Sequence, residues 1–249
     1  MAAGRLYGST QSASRRVCLR LVSNLVIVVA ALLVIVRPSL YAAQARLATG
    51  RLQGIVRLTA GNATPSTATA YSRRSVAPRV KALPEARNVV VSFVDIPAAG
   101  KLAPARVEIT QDDEQFVPHV VAITAGSRVE FPNRDPYFHN VFSLSRPATF
   151  DLGRYAPGDS RTSVFDKPGI VKVYCHIHSQ MSALIRVFDH PWFTIPSETG
   201  EFAIEDVPAG EHSLVAWHER IGERKERVTI RPGATTDVVF TLPVLESTP

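Results

Sequence analysis

The sequence predicts an all-β protein built as two successive β-sandwiches, and three observations carry that expectation. Beyond residue 50 no long segment shows the 3.6-residue apolar period of an amphipathic helix. Short runs rich in Val, Ile, Thr and Phe alternate apolar with polar positions instead. Gly, Pro, Asn and Asp break these runs at the intervals expected of turns in an antiparallel sandwich. At 249 residues the chain is long enough to bury two hydrophobic cores.

Taken in chain order, the first segment is a leader. "SRRVCLR" precedes the apolar run "LVSNLVIVVAALLVIV" at 21–36, and "RPSLYAAQA" ends in small residues at Ala43 and Ala45. A basic start, an apolar middle and small residues at the exit describe an export signal cleaved after Ala45. The run is also almost long enough to span a bilayer, so residues 1–45 read either as a signal peptide or as a membrane anchor through 21–36. Both readings place the body of the protein outside the cytoplasm, in the periplasm or an equivalent exported location.

The body begins with the strand-like segments "GIVRL" at 54–58 and "NVVVSFVDI" at 88–96. The stretch at 60–87 between them, rich in Thr, Ser, Ala, Pro and Arg, lacks apolar periodicity and reads as a flexible connection. Residues 46–105 are therefore grouped as N-terminal strands and connection. Residues 106–190 hold "ARVEITQ", "HVVAITAGSRVEFPN", "TSVFDKPGIVKVYC" and "SALIRVF", the strands of a first sandwich. A second sandwich, 191–249, opens near "HPWFTIPSETG" with Gly200 in a turn, followed by "EFAIEDVPAGEHSLVAWHE", "KERVTIRPG" and "ATTDVVFTL". "GIVRL" also reads as a strand of this second module, with the first sandwich inserted between.

Charge and sulfur content narrow the function. Most of the net charge of +6 belongs to the leader, which holds five of the 28 basic residues (Arg5, Arg15, Arg16, Arg20, Arg37) and none of the 22 acidic ones. The remainder is close to neutral, which excludes an electrostatic case for nucleic acid. Of two cysteines, Cys18 lies in the leader and Cys175 in the body, leaving one unpaired thiol in an oxidising compartment. Of two methionines, Met1 is the initiator and Met181 stands six positions after Cys175.

Both sulfur atoms of the body thus fall within "YCHIHSQM", residues 174–181. "GIVKVY" is a strand that delivers Cys175 to its end, 176–182 a loop, and "ALIRVF" the returning strand. A loop between strands can turn several side chains onto one point, and Cys175, His178 and Met181 recur at intervals of three. Thiolate, imidazole and thioether together form a soft donor set that favours copper, and two His, one Cys and a weak Met make the blue-copper arrangement. Zinc also accepts Cys and His.

The set needs a second imidazole, and seven histidines are available. His139 lies in the loop of "EFPNRDPYFHNVFS", just after a strand and able to reach the same end of the sandwich. His119, His190, His212 and His218 read as ordinary packed or surface residues. His176, directly after the cysteine, is a competing imidazole, but neighbours on an extended chain face opposite ways, which favours His178.

"FPNRDPYFHNVFS" followed by "GIVKVYCHIHSQM" resembles the cupredoxins of plastocyanin and amicyanin type, small copper proteins with a Greek-key β-sandwich. The resemblance covers about 107–188 and implies one copper ion held by His139, Cys175 and His178 with Met181 as the axial ligand. It also implies that Asn140 ties the two ligand loops together by hydrogen bonding. "GEFAIEDVPAGEHSLVAWH" resembles the carboxypeptidase regulatory-like, transthyretin-type sandwich, a structural or interaction element. The pairing of the two is similar to exported bacterial methylamine-utilisation-like proteins.

These readings lead to a copper electron carrier that docks transiently on redox partner proteins. The expectation is of no enzyme, because four protein donors leave little room for substrate, and the sequence shows no glycine-rich nucleotide loop or nucleophile triad. Two other readings stay open: a copper-delivery protein with the same ligands, and a β-sandwich interaction module.

Overall fold

A chain without amphipathic helices buries its apolar residues by stacking sheets. The computed structural model describes residues 48–60, 85–97 and 102–244; the expected leader at 1–45 and most of the connection at 60–87 fall outside them. Two strands come first, β1 (Thr49–Ala60) and β2 (Val89–Phe93), the latter preceded by a 3-10 turn at Glu85–Asn88. Ten follow: β3 (Arg106–Glu108), β4 (Thr110–Asp112), β5 (Gln115–Val117), β6 (Val120–Thr124), β7 (Ser127–Pro132), β8 (His139–Ser145), β9 (Ala148–Tyr155), β10 (Ser160–Phe165), β11 (Gly169–Tyr174) and β12 (Ser182–Phe188). The last five are β13 (Phe193–Thr194), β14 (Glu201–Pro208), β15 (Gly210–His218), β16 (Gly222–Ile230) and β17 (Thr235–Val244). The all-β architecture is therefore the one the alternating pattern predicts.

In the first sandwich a five-stranded sheet, β6-β12-β11-β8-β9, faces a three-stranded sheet, β10-β7-β3. Alternation along each strand sends one set of side chains inward. Val129 and Phe131 of β7 and Phe165 of β10 meet Val171 and Val173 of β11 and Ile185 and Val187 of β12 in one buried cluster. Cys175 and Met181 belong to this same cluster. Their loop therefore caps the core.

The second sandwich takes in β1, as the second reading of "GIVRL" has it, and β2 as well, which the division at 46–105 had set apart. Strand β1 is the middle strand of the sheet β14-β1-β17, and β2 lies between β13 and β15 in the sheet β13-β2-β15-β16. Residues grouped as a separate N-terminal stretch at 46–105 thus supply two strands of the C-terminal module, and the first sandwich is an insertion. Leu52, Val91, Phe202, Leu214 and Phe240, from five strands of this module, share its core. Gly54 lies where β1 is squeezed between neighbours, since a Cβ there would strike the Val238 carbonyl and the Phe202 ring. Gly200, with φ at +87°, makes the turn expected of it, and its amide donates to the Ser197 carbonyl.

Three pairings are parallel, β1 with β17, β6 with β12 and β3 with β7, where the turn rhythm predicts antiparallel neighbours. Each joins strands that are not consecutive in the chain, so no tight hairpin is required.

Described residues from Thr49 onward form one compact unit, and a third apolar cluster shows why. In β2, Val89, Val91 and Phe93 face the second core, while Val90 faces the other way. Val90, Val215 and Trp217 of the second sandwich meet Val120, Leu184 and Phe188 of the first. Arg186 covers this seam, its guanidinium 4.7 Å from the Trp217 ring centroid and 5.3 Å from that of Phe188. All five residues of β2 are buried, including Ser92, and the apolar run Val89 to Val91 is thus the signature of burial on both faces.

Leu52 is fully buried in the second core, among residues of β14, β15 and β17 that lie far along the chain. Leu52→Ala should destabilise the protein by about 2–5 kcal/mol in denaturant unfolding. A change within about 0.5 kcal/mol, as for a surface site, would contradict the placement of β1.

Candidate metal centre

The centre forms where β8 starts and β11 ends. These strands are antiparallel neighbours, with Tyr174 opposite Phe142, so Cys175 falls opposite Val141 and His139 is its diagonal neighbour two residues along. His139 and Cys175, 36 positions apart, meet there with the Cys175 sulfur 3.8 Å from His139 Nδ1. The loop after Cys175 turns back on itself through a bond from the Met181 amide to the His178 carbonyl, 3.0 Å. That turn brings His178 Nδ1 within 3.1 Å of His139 Nδ1. The three donor atoms all lie within 4.8 Å of one another.

His139 is fully buried, Cys175 is 5% exposed and Met181 is 1% exposed, whereas the His178 side chain keeps 20% of its surface. One ligand edge therefore reaches solvent. Asp135, four residues before His139, has its Oδ2 2.8 Å from His139 Nε2. The Asp135 carboxylate also accepts the amides of Asp113 and Glu114 at 2.7 and 2.9 Å. An acceptor so placed keeps the hydrogen of His139 on Nε2 and leaves the Nδ1 lone pair free to bind. Asn133 fixes this loop, its Oδ1 accepting the Asp135 amide and its side-chain nitrogen donating to the Tyr137 carbonyl.

The sulfur accepts the Ile177 amide at 3.4 Å. Asn140 Oδ1 accepts the His176 amide at 3.3 Å, and its Nδ2 donates to Asp151 at 2.6 Å. Asn140 thereby links the start of β8 to the ligand loop. Beneath the site, burial pushes the Tyr155 hydroxyl well above its usual pKa; it donates to the Phe131 carbonyl and accepts Gln111 Nε2.

His176 stands outside the donor group. Its ring stacks on Phe142, with centroids 3.7 Å apart and planes 4° from parallel, on the outer face of the sheet. His119, His190, His212 and His218 also lie outside it, each bound to partners of its own. Asp135 was not among the residues singled out in the sequence. Its i,i+4 spacing from His139 was the only available signal.

Bonds of about 2.0–2.3 Å from an ion to nitrogen and sulfur let two donors stand up to about 4.3 Å apart. The distances of 3.1 and 3.8 Å satisfy that limit for the two pairs that include His139, and the third pair lies within 4.8 Å. The close donors are two imidazole nitrogens and one sulfur with no carboxylate among them, and a thioether is packed in the same cluster as the sulfur. That chemistry fits copper.

The sequence matches no family model and no curated protein. Among solved structures the chain is similar to the copper-containing nitrite reductase from Thermus scotoductus SA-01, at 28% identity and a TM-score of 0.33, over 39% of this chain and 25% of that one. It is similar to a purple cupredoxin from Nitrosopumilus maritimus, at 24% identity and a TM-score of 0.30, over 33% of this chain and 99% of that one. It is also similar to a mutant of amicyanin in the Cu(I) state, at 17% identity and a TM-score of 0.32, over 41% and 99% of the two chains. The chain spans only a quarter of the nitrite reductase. At these scores the likenesses carry no assignment of activity.

Asp135→Asn replaces an acceptor carboxylate with an amide that can present a donor to His139. It should weaken metal binding about 10–100-fold in competition titrations. Unchanged affinity would mean that the Asp135 contact does not orient the imidazole.

Proposed function

We propose that this chain is an exported blue-copper protein that carries single electrons between partner proteins. The observation that supports this most directly is the convergence of His139 Nδ1, His178 Nδ1 and the Cys175 sulfur, with Met181 buried in the same cluster. Copper, when bound, supplies a one-electron Cu(I)/Cu(II) couple. The protein's share is to hold the donors where both oxidation states can use them. Asp135 and Asn140 fix the His139 side of the site, and the His178–Met181 turn fixes the other. Donors held in place limit rearrangement between states.

The solvent-facing edge belongs to His178, and its surroundings fit transient docking. Tyr137, Phe138 and Ile177 are 48%, 49% and 43% exposed around the ligand loops. An apolar rim beside the least buried ligand suits the small interfaces of electron-transfer encounters. We read the protein as a carrier and not an enzyme, because its own side chains would fill the coordination of the ion. The second sandwich is read as a transthyretin-type structural partner.

Export is proposed from the leader sequence. Among the described residues no helix is long and apolar enough to cross a membrane. Redox partners are left to the chemistry of the docking rim.

Addition of Cu(II) to the purified body should produce an intense visible thiolate-to-copper band. Cys175→Ser should abolish it, and His176→Ala should retain it. Absence of the band, or its survival in Cys175→Ser, would overturn the blue-copper reading. Rapid loss of the metal to a chelator would favour delivery over electron transfer.

A further inference from the structure

The hairpin β4–β5 has no place in the ligand set, yet it reaches both imidazoles. Asp112 pairs with Gln115, so Asp113 and Glu114 alone form the turn. Their φ angles are +54° and +55°, the two left-handed positions of a type I′ turn, where Asn-Gly is the usual choice. Aspartate tolerates this conformation through its short polar side chain, but glutamate adopts it rarely. A glutamate held there points to a role outside the turn.

Two sets of contacts leave this turn. Through its backbone, the Asp113 amide donates to Asp135 Oδ1 and the Glu114 amide to Oδ2. The same Oδ2 lies 2.8 Å from His139 Nε2. Through its side chain, Glu114 Oε2 accepts Gln180 Nε2 at 2.8 Å, and Oε1 lies 3.9 Å from His178 Nε2. Gln180 thus holds one carboxylate oxygen so that the other faces His178. Both imidazoles are met on the Nε2 edge, while their Nδ1 atoms approach each other to 3.1 Å on the opposite edge.

We infer that the Asp113–Glu114 turn is a clamp on both imidazoles and that Glu114 is a positioning residue, orienting His178 and placing a negative charge beside it. The inference rests on the copper reading for its effect on potential, but not for the clamp itself. Negative charge beside a ligand stabilises the more positive metal, so Glu114 favours Cu(II) over Cu(I). The carboxylate is 41% exposed, which screens the effect without removing it.

The test compares Glu114→Gln and Glu114→Gly with the parent in the copper-loaded body at fixed pH. Glu114→Gln should lower Cu(II) affinity about tenfold relative to Cu(I), a rise in potential of about 59 mV for one electron, with the charge-transfer band retained. Glu114→Gly relieves the left-handed backbone and removes the carboxylate. It should melt at the same or a higher temperature while its potential rises as in the Gln variant, which separates positioning from folding. An unchanged potential in both variants overturns the inference.

If the parent shows no charge-transfer band, the copper reading fails and the clamp is judged in the metal-free protein by nitrogen NMR of the rings. The His178 resonances should then move in Glu114→Gln. If they do not, the clamp is refuted independently.

Discussion

The centre depends on strand β11 ending where strand β8 begins. Tyr174 opposite Phe142 is the pairing that enforces this, and a register slip of one residue would turn Cys175 away from the core and exchange it for His176. The inward direction of Val171 and Val173 resists such a slip, because both are fully buried between the sheets. Core packing and donor placement are thus one constraint. His176 shows the other side of it: one step along the chain, the side chain leaves the core and lies flat on Phe142.

The same period-two geometry joins the modules. In β12 the inward residues Ala183, Ile185 and Val187 complete the first core, while Leu184 and Phe188 on the other face meet Val215 and Trp217. Among the described residues, only the β6–β12 part of the five-stranded sheet is covered in this way. On the neighbouring strands Ile170, Tyr174 and Leu144 remain at the surface. His119 crosses the seam as well, with Nδ1 on the Ser182 carbonyl and Nε2 on Glu219. The root of the ligand loop is therefore braced by the second sandwich.

How much of this could be read in the sequence follows from distance along the chain. Cys175, His178 and Met181 share one short loop, so their spacing carried information. His139 was reachable because a loop rich in Pro, Asn and Asp after a strand implies the same end of a sandwich. Asp135 and Glu114 were not legible, since their roles arise from side-chain and backbone hydrogen bonds between loops that no periodicity encodes. The membership of β1 was legible only as one of two readings of "GIVRL", and that of β2 was hidden. Their alternation predicted strands, but partners such as Phe202 and Leu214 lie more than a hundred residues away.

Strand β1 lies in parallel register with β17, from Arg51 beside Thr235 to Ala60 beside Val244. The nascent chain therefore makes the middle strand of that sheet first and one of its neighbours last. Residues 106–188 can close their own sandwich and bring the donor residues of the candidate site together as one continuous stretch, but β1 must wait with an unpaired edge until β17 emerges. Closing so long a loop is slow, and an open edge invites association with other chains. Folding order is thereby built into the connectivity: the half that carries the candidate site can mature early, while the half that braces it is completed only once β17 has been made.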